Sequence, residues 1–198
     1  MDATTAARLR SGVQQAYSSI ATTPKAQHPF PVGRPLALNV GYPRQQLDQL
    51  PASASAAFAG VSAVPRFARL TSGATVLDVG CGAGLDSLIA AQRIGATGQV
   101  VGIDFSAEML ARAAANAAAM GLTNVRFLRT DAERLPLTTG AIDIALINGI
   151  FNLNPARAAI FADLARVVRP GGAVYAAEIV LRKALPPQPI TKDADWFA

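Results

Sequence analysis

The chain has 198 residues, enough for one domain with a sizeable core or one domain plus an appendage, and its 51% hydrophobic content lies at the upper edge of ordinary. Much of that content is alanine, as at 113–119, which signals helix; no apolar run reaches the roughly 18 residues of a membrane span, and MDATTAARLR lacks a signal-peptide core. The net charge of +5 comes from 15 Arg and 3 Lys scattered without a basic run, which argues against a nucleic-acid partner, and the single cysteine, Cys81, excludes an internal disulfide and points to a cytoplasmic location.

Up to Ser72 there is no strand–helix alternation. Leu9, Val13, Tyr17 and Ile20 fall at helical spacing and predict an amphipathic first helix. Pro24, Pro29, Pro31, Pro35 and Pro43 then forbid long regular elements. His28 lies between two of these prolines and reads as structural. Short helical pieces are expected around Leu47, around Phe58 and over 67–70. Residues 1–72 therefore form a helical, proline-rich cap or lid over the main domain rather than an independent fold.

From Thr75 the alternation is clean. A buried strand over 75–79 runs into Gly80, Gly82 and Gly84, and an amphipathic helix begins at Leu85 and is closed by Gly95. This is a strand turning sharply into a helix, with backbone N–H groups exposed at the helix N-terminus. The second strand, 99–103, is closed by Asp104, and a helix N-capped by Ser106 presents Met109, Ala113, Ala117 and Met120 on one face. Asp86 and Glu108 read as first-turn acids that complement the helix macrodipole. A third strand, 125–129, leads to Asp131-Ala132-Glu133, and a fourth, 142–147, is nearly all apolar, as expected of a strand covered on both faces. Asn154-Pro155 reads as a helix start, Pro170-Gly171-Gly172 as its stop, and 173–181 as strand five.

Such alternation predicts an α/β fold, a doubly wound parallel sheet over 73–185 in the order 3-2-1-4-5, with a tail at 186–198. Ligands in such sheets sit at the carboxyl ends of the strands, so Asp78, Asp104, Asp131 and Asn148 should line one crevice. A carboxylate at Asp104 suits the two hydroxyls of a ribose, which points to an adenosine-containing cofactor.

Dinucleotide-binding loops place the third glycine one residue later than Gly84, which disfavours a nicotinamide dehydrogenase. The G-x-G-x-G loop with Asp78 before it instead resembles motif I of class I S-adenosylmethionine-dependent methyltransferases. That resemblance implies S-adenosyl-L-methionine as cofactor, Asp131 as the acid receiving the adenine amino group, and the next backbone N–H, at Ala132, as the cap of the ring. The cofactor set it implies is Asp78, Gly80, Cys81, Gly82, Gly84, Asp104, Phe105, Met109, Asp131, Ala132, Glu133 and Asn148. NGIFNLNP (148–155), ARVVRPGG (165–172), GYPRQQLDQLP (41–51), FAGVSAVPRF (58–67) and DWFA (195–198) are similar to the arsenite methyltransferase-like branch. The acceptor is then a small molecule, with Tyr17, Phe151 and Asn152 as substrate-pocket residues.

The chain departs from that branch in its thiols. The branch's cysteine after strand four is Gly149 here, and one buried thiol cannot build a three-coordinate thiolate site, so arsenite is disfavoured and no metal site is expected. Methyl transfer from a sulfonium mainly needs alignment and exclusion of water, and no catalytic residue is assigned. A cofactor-binding protein without turnover is the competing reading. Only 17 residues follow Leu181, too few for the family's last helix and two strands, so a Rossmann-like sheet of five strands is expected, truncated relative to the family. Its fifth strand would lie at an edge covered by a homodimer, a partner or the N-terminal segment.

Overall fold

Strand, glycine turn and helix repeat along the second half of the chain, and the computed structural model, which describes residues 3–24 and 26–180, folds them into one sheet. Five helices come first: α1 (Ala3–Thr22), α2 (Arg34–Asn39), α3 (Arg44–Asp48), α4 (Ala52–Ala56) and α5 (Val64–Phe67). Then follow β1 (Thr75–Val79), α6 (Leu85–Ile94), β2 (Gln99–Asp104), α7 (Ala107–Ala119), β3 (Val125–Arg129), β4 (Ile142–Asn148), α8 (Arg157–Val167) and β5 (Val168–Ala177). The sheet order is β3-β2-β1-β4-β5, and every pairing is parallel. This is a Rossmann-like, doubly wound α/β fold. No helix among the described residues is long and apolar enough to cross a membrane.

The three central strands are apolar because helices or loops cover both their faces. Leu77, Val79, Val101, Ile103, Ala145 and Ile147 face one way and pack with Ile160 and Leu164 of α8. Val76, Val100, Ile144 and Leu146 face the other way, against Ala90, Ala91 and Ile94 of α6.

The first five helices share their apolar side chains with this unit. Ile20, Ala21 and Ala57 cluster with Ala83 and Met109, and Tyr42, Leu47, Leu50 and Phe58 cluster with Leu85, Leu88 and Ile89. Polar contacts reinforce the seam. Ser18 Oγ donates to Glu108 at 3.0 Å and shares a hydrogen bond with Ser106 Oγ, while Arg10 pairs with Glu133. His28 Nε2 lies 3.0 Å from the Thr23 carbonyl, a local contact. Ser106 caps α7 as expected, its hydroxyl accepting from Met109 N at 3.2 Å.

The helical pieces expected around Phe58 and over 67–70 lie earlier, at Ala52–Ala56 and Val64–Phe67, and three boundaries in the second half also differ from the sequence reading. Helix α8 begins at Arg157 rather than at Pro155, because Asn154 Oδ1 accepts the Ala156 N–H at 2.7 Å in a local turn. Strand β5 begins at once after α8, and Pro170-Gly171-Gly172 lies inside it. Pairing passes from Ile142↔Val168 to Ile144↔Ala173, so residues 169–172 bulge opposite Asp143, and Arg169 pairs with Asp143 across the irregularity. The strand ends at Ala177, where Glu178 turns back to the β4 loop. The expected strand end at Leu181, the 186–198 tail and the DWFA segment lie outside the described residues. Within them, β5 is an outer strand of the sheet.

Candidate functional site

The turn after β1 takes its shape from glycine. Gly80, Gly82 and Gly84 have φ of 70°, 53° and 88°, a region that side chains with a Cβ avoid. Gly80 is also sterically closed, since a Cβ there would stand 2.1 Å from Ile150 Cδ1. Three N–H groups of the loop, ahead of the first helical residue Leu85, are bonded within the protein. Cys81 N donates to Ile103 O, Gly82 N to Asp104 Oδ2 and Gly84 N to Cys81 O, each at 2.9 Å. The glycine loop is thus tied to the end of β2, and at these three positions its amides face inward rather than toward a ligand.

A cavity of about 490 Å³ opens at the carboxyl ends of the strands. Of the sequence-derived cofactor set, Asp78, Gly80, Cys81, Gly82, Asp104, Phe105, Met109, Asp131, Ala132, Glu133 and Asn148 line it, as does Tyr17. Gly84 does not: it is the N-cap of α6, and a Cβ there would stand 3.1 Å from Ala113 Cβ, so its role is close packing of two helices.

Phe151 and Asn152 are not among the cavity's lining residues. Phe151 stacks on Phe161 at 4.4 Å inside the α8 cluster, and Asn152 Nδ2 donates to Ile179 O at 2.5 Å. Glu178 explains the geometry. Its Oε1 accepts the N–H groups of Ile150 and Phe151 at 2.6 and 2.7 Å, which holds the loop so that Ile150, Leu153 and Asn154 face the cavity instead.

Asp86 is the residue that sequence reasoning missed. Its first-turn position is indistinguishable from that of an exposed helix acid, yet it is 6% exposed and lines the cavity beside Asp78, at 2%, and Asp104, at 8%. The Tyr42 hydroxyl donates to Asp86 Oδ1, and Asn148 Nδ2 donates to Oδ2 at 3.0 Å. Asn148 is saturated: Nδ2 also donates to Ser62 O at 2.7 Å, and Oδ1 accepts from Val61 N at 2.8 Å and Ser62 N at 3.2 Å. It clips the 60–62 loop to the site. Gly60 lies so close that a Cβ would meet Asn148 Nδ2 at 2.6 Å.

Burial governs the charges. It pushes Asp78 up to about 8, assisted by the neighbouring Asp86 charge and opposed by the Ser87 hydroxyl, whose bond to Asp78 Oδ2 is 2.5 Å. It pushes Asp86 up to about 6, opposed by its Tyr42 and Asn148 donors. Asp104 is raised by burial against the opposing N–H bonds of Ser106, Gly82 and Phe105. Burial, with Asp104 and Asp78 adding, lifts the Cys81 thiol well above its usual range, so it stays protonated. Tyr17 is raised by burial and by the charges of Asp104 and Glu178.

The family model described as a methyltransferase domain matches residues 70–197. An arsenite methyltransferase of Halobacterium salinarum is 38% identical over 120 residues, which make up 61% of this chain and 31% of that protein. A demethylmenaquinone methyltransferase of Lactococcus lactis is 31% identical over 122 residues, 62% of this chain and 47% of the relative. The chain therefore matches between about a third and a half of the length of these curated relatives. Among solved structures, an arsenic(III) S-adenosylmethionine methyltransferase from Chlamydomonas reinhardtii superposes with a TM-score of 0.60 at 25% identity, covering 79% of this chain and 52% of that one.

Proposed function

The chain belongs to the methyltransferase-domain family, and from that premise we propose that it binds S-adenosyl-L-methionine in this cavity and passes the methyl group to a small-molecule acceptor. One observation carries the reading: the acids that end consecutive strands follow the order of the sheet. Asp131, after β3, takes the adenine; Asp104, ending β2, takes the ribose hydroxyls; Asp78, near the end of β1, faces the methionyl end. Ala132, Phe105 and Met109 supply apolar walls for the adenosine.

The acceptor enters from the side of Tyr17, Ile150, Leu153 and Asn154, in place of the Phe151 and Asn152 expected from sequence. Residues 1–72 serve as the cap over this opening, with Val13, Tyr17 and Phe58 lining the cavity. Transfer is an in-line displacement: the acceptor atom bonds to the methyl carbon as the carbon–sulfur bond breaks and its electron pair returns to sulfur. The donor is already activated, so the protein's part is alignment and exclusion of water.

Arsenite is not the acceptor in this reading. Cys81 is the sequence's only thiol, it is buried and protonated, and the described residues hold no group of three or more His, Cys, Asp or Glu able to grip a metal ion. A cytoplasmic setting, no nucleic-acid or membrane partner, and a homodimer or other partner along β5 belong to the same proposal.

Calorimetry with S-adenosylmethionine, S-adenosylhomocysteine and NAD tests the cofactor, with binding of the first two and not the third expected. Turnover against a panel of small hydroxyl, amine and thiol compounds, with arsenite included, tests the reaction. Tight NAD binding without S-adenosylmethionine binding would overturn the proposal.

A further inference from the structure

Three carboxylates from three elements converge on one cavity. Asp78 comes from β1, Asp86 from α6 and Asp104 from β2, and all three are buried cavity walls. None of the four side-chain ion pairs described involves them. The two arginines lining the cavity are engaged elsewhere, Arg10 with Glu133 and Arg129 with the Phe105 carbonyl at 3.1 Å. Buried carboxylates without a cation are held by hydrogen bonds, by a proton or by a ligand.

The bonds differ between Asp78 and Asp86, whose charges interact. Asp86 receives two donors, the Tyr42 hydroxyl and Asn148 Nδ2, and is positioned by both. Those donors are fixed in turn: Asn148 is saturated by the 60–62 backbone, and Tyr42 packs edge-on against Phe58 with ring centroids 5.2 Å apart. Asp78 receives the Ser87 hydroxyl and faces the field of both other acids.

Connectivity then decides what docks here. With adenine at β3 and ribose at β2, the sulfur and the aminobutyrate tail continue across the sheet toward β1 and β4. The tail's ammonium group arrives at the cavity wall to which Asp78 and Asp86 both belong.

We propose, on the strength of the cofactor reading above, that Asp78 and Asp86 hold one proton between them in the ligand-free protein and release it to solvent when that ammonium docks. Asp86 is thereby a specificity-determining residue for ligands that carry the amino-acid tail. The titratable groups that face the pair are Asp104 from β2, the Cys81 thiol from the glycine loop and the Tyr42 hydroxyl from the α2–α3 connection, and Tyr17 from α1 lines the same cavity beside Asp104. Each is either acidic or a neutral group that burial keeps protonated, so none of these groups replaces the ligand's cation. Burial and mutual repulsion place the pair's titrations at about 8 and about 6, which leaves a proton bound at neutral pH.

The experiment is calorimetry near pH 7 in buffers of different ionisation enthalpy, which counts protons released on binding. The ligands are S-adenosylmethionine, S-adenosylhomocysteine and 5′-methylthioadenosine, which keeps the adenosine but lacks the amino-acid tail. Wild type should release close to one proton with each of the first two and close to none with the third. Affinity for S-adenosylhomocysteine should rise about eight-fold from about pH 6.5 to about pH 7.5, the expectation for one proton leaving a group that titrates near 8. Asp78→Asn should abolish the release, and Asp86→Asn should reduce it, since Asp78 then loses the neighbour that holds its proton.

Binding of the two tailed ligands without proton release overturns this inference and leaves the cofactor reading standing. Equal release with 5′-methylthioadenosine also overturns it. No binding of either tailed ligand overturns both. The comparison among ligands uses wild type alone, so the test survives a variant that fails to fold.

Discussion

Replacing Asp78 by asparagine should make the ligand-free protein more stable, although it removes a buried hydrogen-bonded carboxyl. Asp78 ionises at about 8 in the folded chain, against about 3.9 for an unperturbed aspartate. Between those values the folded state holds a proton that the unfolded state has released. Folding stability therefore falls as pH rises, by up to about 1.4 kcal/mol per pH unit, and the loss is complete only above the folded value. At pH 7 the sum is of order 4 kcal/mol, an upper figure because the Asp86 charge is part of the same titration. Asparagine has nearly the shape of the protonated acid and keeps an oxygen for the Ser87 hydroxyl, so the offsetting loss is roughly 1 kcal/mol.

Asp78→Asn should thus gain about 2–3 kcal/mol at pH 7 to 8, and no gain should remain near pH 4, where the unfolded aspartate is only about half ionised and the weakened hydrogen bond offsets what is left. Urea unfolding of both proteins across that range measures the difference directly. Two results would refute the reasoning: a variant less stable than wild type at pH 8, or a stability difference that does not widen with pH. The same variant should bind S-adenosylmethionine poorly, so stability and ligand affinity are expected to move in opposite directions.

Asp104→Ala should weaken S-adenosylmethionine binding by at least ten-fold in calorimetry, because it removes the charge-assisted bonds to the ribose. It should also loosen the apo protein, since Gly82 N and Ser106 N both lose their acceptor, 2.9 Å away in each case; unchanged affinity would remove the basis for the cofactor site. Gly80→Ala should destabilise by about 2 kcal/mol or more in urea unfolding, since φ is +70° and Ile150 Cδ1 blocks the new methyl. Adding Ile150→Ala should recover part of that loss. Cys81→Ser should keep the fold and change cofactor affinity only modestly, with arsenite-dependent methylation undetectable in both proteins; robust arsenite turnover abolished by the serine would overturn the acceptor assignment.

Much of the fold could be read from the chain because its signals are local. Val76, Leu77 and Val79 announce a buried strand, three glycines announce the turn, and Ser106 caps its helix through a bond three residues long. What could not be read depends on distant partners. Asp86 looks like any first-turn acid until Tyr42, 44 residues earlier, donates to it, and Asn148 is exhausted by a loop 86 residues away. The stretch after β4 has no periodicity to say which side chain faces the cavity. The choice of Ile150, Leu153 and Asn154 over Phe151 and Asn152 is made by Glu178, beyond the end of β5. The same limit applies to Pro170-Gly171-Gly172, which reads as a stop but is absorbed as a bulge because β4 keeps pairing on either side.

The places where local rules mislead are also the places where the protein departs from what folding alone would favour. Three acids are buried with no ion-pair partner among the described residues, an asparagine is spent on a loop and on Asp86, and a glycine turn is held in a conformation that other residues resist. A sequence selected only for stability would carry neutral residues at 78 and 86, as the Asp78→Asn prediction makes explicit. The acids follow instead from the ligand, whose ammonium group compensates them only when bound. On that argument the cost of burying Asp78 and Asp86 in the free protein is also the source of its preference for a ligand that carries the ammonium group. A variant neutral at both positions should be the most stable of the series and the least able to tell S-adenosylhomocysteine from 5′-methylthioadenosine. If it still prefers the tailed ligand as strongly as wild type does, the two acids contribute nothing to recognition and their burial needs another explanation.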